Sequence, residues 1–206
     1  MIVEVLAVGT ELLLGQIVNG NAADIGQRLA ESGLDHYRQG VVGDNIDRVT
    51  TAIREAAVRS DALIITGGIG PTQDDLTREA MRDAAGVTME FSEEYAEHLR
   101  GWWGRRGREM PASNLRQAEY PSGAVLIPND KGTAPGLRMR IGECWVFALP
   151  GVPEEMLPMV DAHVIPFLMA EMATGAGVIV SRLLRTWGES ESRIAEVLGD
   201  LYEVHT

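Results

Sequence analysis

Short apolar runs alternate with segments of helical periodicity along the first 85 residues of the chain. The apolar runs predict buried strands, and the segments with apolar residues every three to four positions predict amphipathic helices. The strands are expected at residues 2–8, 37–42 and 61–65, and the helices at residues 19–32, 46–59 and 75–85. This alternation predicts an α/β fold, a three-layer α/β/α sandwich built on a mostly parallel sheet.

The second half of the chain predicts a less regular order. Helices are expected at residues 92–108, 110–120, 153–174 and 189–201, and strands at residues 125–127, 137–141, 144–149 and 178–184. Gly142 and Glu143 fill a two-residue turn, which predicts a hairpin. One strand and one helix cannot bury a core of their own. We therefore expect one domain at residues 1–174, followed at residues 175–206 by a linker and the beginning of a small α+β module.

The glycine-rich segment at residues 66–77 (TGGIGPTQDDLT) carries the strongest functional signal. It lies between a predicted strand and a predicted helix, so backbone N–H groups at the positive end of a helix dipole are available for phosphate. Glycine pairs after strands are common, and an aspartate at a helix start is often only a cap. The full run, with its glycines, Pro71, Thr72 and an acidic pair, favours a ligand site. No Gly-Lys-Ser/Thr follows, and the glycine spacing differs from the dinucleotide-binding fingerprint.

Four carboxylates follow predicted strands directly. Because the carboxyl ends of parallel strands share one edge of a sheet, these side chains are expected to converge there. Adjacent carboxylates would repel a bare phosphate, so a cation between them and the ligand is expected. The four residues are Glu11, Asp44, Asp74 and Asp75.

The net charge of −12 and the pI near 4.8 argue against a broad surface for nucleic acid or an anionic membrane. An anionic ligand must therefore be held locally. The single cysteine, Cys144, excludes an intrachain disulfide, which fits a cytoplasmic protein, and its apolar neighbours favour a place in the core. No signal peptide and no membrane-spanning run is predicted.

Three polar features leave alternatives open. The segment 101–108 (GWWGRRGR) could clamp a base with its phosphates or form a solvated helix end, and we weigh these equally. Lys131, the only lysine, could contact phosphate. Glu154 and Glu155 lie in the first turn of a predicted helix, where capping is the simplest explanation, more so for Glu154.

Six segments form a specific set of motifs along the chain: GTELLLGQIVNGNA (9–22), VGDN (42–45), TGGIGPTQDDLTREA (66–80), GREMPASNLRQA (107–118), NDKGTAPGL (129–137) and LPGVPEEM (149–156). Together they resemble one family, the N-terminal domain of the competence/damage-inducible protein CinA. That domain is similar in fold to the MoaB/Mog molybdopterin-binding proteins. The resemblance covers about residues 1–175, with a tail like the start of the next small CinA domain, and we expect the C-terminal deamidase domain to be absent.

The resemblance implies ADP-ribose pyrophosphatase activity with a divalent metal (Mg, Mn or Co). It implies catalytic roles for Asp44 and Asp75, which match the aspartates of the molybdopterin relatives, and metal ligation by Glu11, Asp44, Asp74 and Asp75. As a catalytic metal ligand, Asp75 should be replaceable by Asn with little change in melting temperature. The implied substrate-binding residues are Gly67, Gly68, Gly70, Pro71, Thr72, Asn114, Thr133, Pro135, Gly136 and Gly151.

The leading hypothesis is a metal-dependent hydrolase that splits ADP-ribose into AMP and ribose 5-phosphate. The alternative is a non-catalytic nucleotide- or molybdopterin-binding module of the molybdenum-cofactor-synthesis type, because fold similarity alone does not fix chemistry. Adenylyl transfer as in Mog-type enzymes ranks third. An exposed aromatic pair, Trp102 and Trp103, together with the oligomeric habit of the family, predicts a homodimer.

Overall fold

The computed structural model describes residues 1–172 and 185–199. Eight strands and eight helices are found there. In chain order they are β1 (Ile2–Val8), α1 (Thr10–Leu13), α2 (Gly20–Glu31), β2 (Asp35–Val42), α3 (Ile46–Arg59), β3 (Ala62–Thr66), α4 (Thr77–Ala85), β4 (Met89–Phe91), α5 (Glu93–Gly104), β5 (Glu119–Pro121), β6 (Val125–Ile127), β7 (Gly136–Ile141), β8 (Cys144–Leu149), α6 (Pro153–Met159), α7 (Ile165–Glu171) and α8 (Glu191–Val197). A 3₁₀ segment (Ala112–Ala118) precedes β5, and a π-helical turn (Val160–Val164) joins α6 to α7.

The main sheet has six strands in the order β2-β1-β3-β8-β7-β6. β2, β1, β3 and β8 run parallel, whereas β7 is antiparallel to β8 and β6 is antiparallel to β7. This confirms the predicted α/β fold with a mostly parallel sheet. Because four strands run the same way, the loops after Val8, Val42, Thr66 and Leu149 leave the sheet at one edge.

Helices cover both faces of this sheet, as β3 shows most clearly. All five of its residues are buried, and alternate side chains enter opposite cores. Ala62 and Ile64 pack with Ile25 of α2 on one face. Leu63 and Ile65 belong to the core on the other face, which includes residues of α3 and α4. A strand buried on both sides can be apolar throughout, which is why it was predictable from its sequence.

Two predicted helices take a different form. Residues 112–118 form only a 3₁₀ segment, after which Glu119–Pro121 pairs antiparallel with β4 in a small second sheet that was not predicted. The long helix expected from Pro153 is interrupted by the π turn at Val160–Val164. Pro158 and Pro166 lie on either side of that turn and lack an N–H group. The regular hydrogen bonds of an α-helix therefore cannot continue from residue 153 to residue 171.

The predicted linker at residues 175–177 and the predicted strand at 178–184 lie outside the described residues. The predicted last helix is present as α8, shorter than expected, with the Ser190 side chain capping it through the N–H of Arg193. The division of the chain at residue 174 stays a prediction. No helix among residues 1–172 and 185–199 is long and apolar enough to cross a membrane.

The expected exposed aromatic pair is half-buried instead. Trp102 and Trp103 contact each other edge to face with ring centroids 5.5 Å apart, and the guanidinium of Arg106 lies 3.3 Å from the centroid of Trp102. Part of the apolar surface of the pair is covered locally, because the arginine lies over one ring and the two tryptophans contact each other. It therefore gives no support to the homodimer, which stays a prediction.

Candidate functional site

Three parallel strands end side by side where the glycine loop, residues 66–77, begins. The N–H of Gly67 donates to the carbonyl of Leu149 at the end of β8, over 3.0 Å. Gly67 has a φ of 93°, and a Cβ there would stand 2.4 Å from the carbonyl oxygen of Val8 at the end of β1. A Cβ on Gly151 would lie 3.4 Å from the Cα of Gly67. Only glycine allows the three strand ends to meet so closely.

Thr77, the first residue of α4, sets the direction of two loop peptides. Its N–H donates to the carbonyl of Gly68 over 2.9 Å, and its hydroxyl donates to the carbonyl of Gly67 over 2.8 Å. The C=O and N–H of a trans peptide point in opposite directions. These two hydrogen bonds therefore turn the N–H groups of Gly68 and Ile69 away from α4, and both residues line the cavity described below.

Asp75 holds the second half of the loop. Its carboxylate accepts hydrogen bonds from the N–H of Gly70 (2.8 Å), the N–H of Thr72 (2.7 Å) and the hydroxyl of Thr72 (2.6 Å). The N–H of Gly67 is bonded to Leu149 and Pro71 has no N–H, so within residues 67–72 only Gly68 and Ile69 keep N–H groups without a partner among the described residues. The predicted phosphate cradle at residues 67–72 thus narrows to these two amides.

Two arginines tie the loop to its surroundings. Arg78 of α4 is 1% exposed and donates to the carbonyls of Ile69 and of Gly70, the latter over 2.7 Å. Burial lowers the pKa of the Arg78 guanidinium, with the nearby Glu79 acting in the opposite direction. Arg116 donates to the carbonyl of Thr72 and to Glu79, the latter over 2.6 Å. A buried positive charge therefore stands directly behind the loop.

The loop opens into a cavity of about 690 Å³ at the carboxyl edge of the sheet. Ten of the predicted site residues line it, which brings segments from five parts of the chain together. They are Glu11, Asp44, Gly67, Gly68, Gly70, Pro71, Asp74, Asp75, Thr133 and Gly151.

Four predicted substrate-binding residues are not part of that lining. Thr72 is exposed and instead holds Asp75, while Asn114 is buried and donates to the side-chain oxygen of Gln117. Pro135 is buried, and a Cβ on Gly136 would stand 2.6 Å from the Cε of Met159, so this end of the loop packs into the core. Their motif places them near the site, but their contacts are with the protein.

The four predicted metal ligands surround the cavity without forming a preformed metal site. Among the described residues, no group of three or more His, Cys, Asp or Glu side chains is arranged to hold a metal ion. Asp75 is engaged by the loop, and Asp44 accepts from the N–H of Thr10 over 2.9 Å. Magnesium often takes one or two carboxylates and completes its shell with ligand phosphates and water. The residues fit a metal only in that form, so the divalent metal stays a prediction.

The structure adds lining residues that sequence reasoning missed. Asn21, near the start of α2, donates to the carbonyl of Gly151 over 2.8 Å and joins two walls of the cavity. Asn19 caps α2 by accepting from the N–H of Ala22. Both belong to the segment 9–22, so their motif was the available signal. Asp24, Gln117 and Glu155 also line the cavity.

Glu155 does more than occupy the first turn of α6. Its carboxylate accepts from the side-chain amide of Asn129 over 2.7 Å, and Asn129 accepts in turn from the N–H groups of Lys131 and Gly132. Tyr95 donates to the carbonyl of Thr133, and burial raises the pKa of its phenol, with Glu155 adding to that rise. These contacts fix the loop that carries Thr133. Residues 101–108 do not line the cavity in the described part of the chain, so a base clamp there finds no support.

The sequence of this chain matches one protein family and several relatives. The family profile described as "Probable molybdopterin binding domain" matches residues 4–170. The chain is 50% identical over 202 residues to a CinA-like protein of Frankia casuarinae, covering 96% of this chain and 46% of that protein. It is 45% identical over 207 residues to a putative competence-damage inducible protein of Symbiobacterium thermophilum, covering 100% of this chain and 49% of that protein. The chain spans about half the length of these curated relatives.

Solved structures agree with the sheet described above. The crystal structure of the protein CinA, of unknown function, from Thermoplasma acidophilum has a TM-score of 0.72 and 36% identity, covering 78% of this chain and 94% of that one. The molybdopterin biosynthesis enzyme MoaB from Thermus thermophilus has a TM-score of 0.52 and 21% identity, covering 82% and 96%. At that identity MoaB supports the fold alone.

The prediction that the chain is an ADP-ribose pyrophosphatase is wrong. The matching family is described as a probable molybdopterin binding domain, and the relatives as CinA-like or competence-damage inducible proteins, and none of these descriptions names that activity. We therefore do not assign the chain as an ADP-ribose hydrolase. What the structure shows for Asp75 is a hydrogen-bonding role in the loop.

Proposed function

The chain belongs to the probable molybdopterin binding domain family, and from that membership we propose that it is a binding module for a pterin or nucleotide ligand, without turnover of its own. The ligand would carry a phosphate group at one end and a flat ring at the other. Two features of the cavity support these two ends separately.

The free N–H groups of Gly68 and Ile69 are the main support for a phosphate-binding site. They lie at the start of a strand-loop-helix unit, they have no partner among the described residues, and Thr77 directs them away from α4. Adjacent backbone N–H groups in such a turn bind anions, and the helix dipole adds to the attraction. The buried Arg78 behind the loop contributes a positive charge in a chain whose net charge is −12.

Four aliphatic side chains of the cavity lining support the ring end. Leu12, Ile17, Val18 and Val152 line the cavity, and Val18 is 92% exposed to solvent. Exposed aliphatic side chains at a cavity mouth gain free energy when a flat ring covers them and displaces water. A free phosphate would leave this surface uncovered, so a larger, amphipathic ligand fits better.

Calorimetry with AMP and with a phosphorylated pterin tests the proposal. We expect saturable binding of at least one of them at one site per chain, and the ligand should be recovered chemically unchanged. Repeating the titration with magnesium and then with excess EDTA tests the metal, which we expect to strengthen binding of both ligands because both carry phosphate. No heat and no saturation with either ligand, with or without magnesium, would contradict the proposal.

A further inference from the structure

One side chain in the cavity wall has a donor that the protein does not use. Gln117 is 1% exposed, lies at the end of the 3₁₀ segment Ala112–Ala118, and lines the cavity. Its side-chain oxygen accepts a hydrogen bond from the amide of Asn114 over 3.2 Å. Its Nε2 donates to no residue in the described part of the chain, although a buried amide is expected to find a partner.

The unused donor is not sealed inside the core. The buried side-chain atoms without access to solvent or a partner, among residues 1–172 and 185–199, are elsewhere, on Thr50, Arg78, Glu79 and Trp103. The Nε2 of Gln117 is not one of these sealed atoms, and Gln117 lines the cavity. A nearly buried amide with an unused donor in a cavity wall is placed to meet a group that enters the cavity.

The 3₁₀ segment that carries this amide is fixed to the glycine loop by the neighbouring residue. Arg116 donates to the carbonyl of Thr72 and, over 3.4 Å, to the carbonyl of Asp75, so the 3₁₀ segment is tied to the loop. Asn114 is 5% exposed, does not line the cavity and holds the oxygen of Gln117. Because Asn114, which does not line the cavity, holds the oxygen of Gln117, we expect the NH₂ group of Gln117 to face the cavity.

We propose that Gln117 binds the ligand by donating a hydrogen bond from Nε2 to an oxygen acceptor, and that Asn114 is the positioning residue that orients this amide. The inference rests on the proposed function. The ties of Arg116 to the loop favour a phosphate oxygen next to the amides of Gly68 and Ile69 as the acceptor. The ring carbonyl of a pterin offers the same chemistry from the other end of a ligand, so the test uses both.

The test measures binding of inorganic pyrophosphate and of unphosphorylated pterin by calorimetry to wild type, Gln117→Met and Gln117→Glu. Met keeps the length of the side chain without hydrogen bonds, and Glu keeps the acceptor for Asn114 but loses the NH₂ group. We expect Gln117→Met to weaken pyrophosphate binding roughly tenfold or more. Gln117→Glu should weaken it further through charge repulsion. Weakening of pterin binding alone would overturn the phosphate acceptor in favour of the ring carbonyl.

Asn114→Ala separates positioning from simple structural support. In the wild-type background it should weaken pyrophosphate binding, whereas in the Gln117→Met background it should cause no further loss, because the two residues act through one amide. Additive losses would overturn the positioning role. If wild type and Gln117→Met bind each probe with the same affinity, the ligand contact of Gln117 is overturned, while the proposed function is not. Wild-type protein that binds neither probe would overturn this inference, whereas the proposed function is overturned only if AMP and the phosphorylated pterin also fail to bind.

Discussion

Replacing Gly68 with Ala should abolish ligand binding and also lower the melting temperature. Gly68 has a φ of 68°, and an added Cβ would stand 2.4 Å from the hydroxyl oxygen of Thr77 and 3.3 Å from Val8 Cγ1. To make room, Thr77 must rotate and give up its hydrogen bond to the carbonyl of Gly67. That bond turns the N–H of Gly68 towards the ligand, so the same clash damages the fold and the site.

Gly86→Ala is the matched control for backbone strain. Gly86, after α4, has a φ of 69°, and an added Cβ would meet no atom within 4 Å. Ala in this left-handed conformation costs roughly 1–2 kcal/mol, which corresponds to a fall of a few degrees in melting temperature. Thermal denaturation and calorimetry of both variants separate the effects. We expect Gly86→Ala to bind AMP as wild type does. Gly68→Ala that melts and binds like Gly86→Ala would show that the Thr77 contact does not shape the site.

Asp75→Asn should lower the free energy of unfolding by about 2 kcal/mol or more. The carboxylate of Asp75 accepts three hydrogen bonds from Gly70 and Thr72, and each bond to a charged group contributes about 1.5–3 kcal/mol. An asparagine has only one acceptor oxygen, so its NH₂ group would face a backbone N–H. These hydrogen bonds replace the expectation of little change in melting temperature, which rested on a role as metal ligand alone, with an expectation of lower stability.

Asp74→Asn is the control, because it removes the same charge one residue earlier. Asp74 is exposed, and its side chain makes no hydrogen bond in the described part of the chain. Urea denaturation of the two variants should show a lower midpoint for Asp75→Asn and an unchanged midpoint for Asp74→Asn. Equal midpoints would mean that Asp75 does not hold the loop.

The parallel part of the sheet could be predicted because its buried strands have apolar sequences. Strand β3 is apolar from Ala62 to Ile65 because both of its faces are covered, and Gly67 after it is required by the close approach of Val8. The small β4–β5 sheet was not predictable: each strand has three residues, and their pairing depends on contacts distant in the chain. Local periodicity carries no information about such a pairing.

The location of the site could be predicted from the sequence, but most of its hydrogen bonds could not. Sequence reasoning located the loop and the carboxylates around it, because residues that follow parallel strands meet at one edge. Sequence reasoning assigned Asp75 to a metal and Asn114 to a ligand, and both roles stay predictions. It did not foresee that Asp75 accepts hydrogen bonds from loop amides or that Asn114 donates to Gln117. Spacing along the chain shows which segments meet, but hydrogen-bond partners depend on the direction of each side chain.

Amide NMR of the labelled protein, titrated with AMP or a phosphorylated pterin, tests the central claim most directly. The account predicts that the amide signals of Gly68 and Ile69 shift most among the loop residues as the ligand saturates. The phosphorus spectrum of the ligand should keep its original signals throughout. Unmoved Gly68 and Ile69 amides at saturation, or new phosphorus signals from a reaction product, would contradict a binding module whose loop amides hold phosphate.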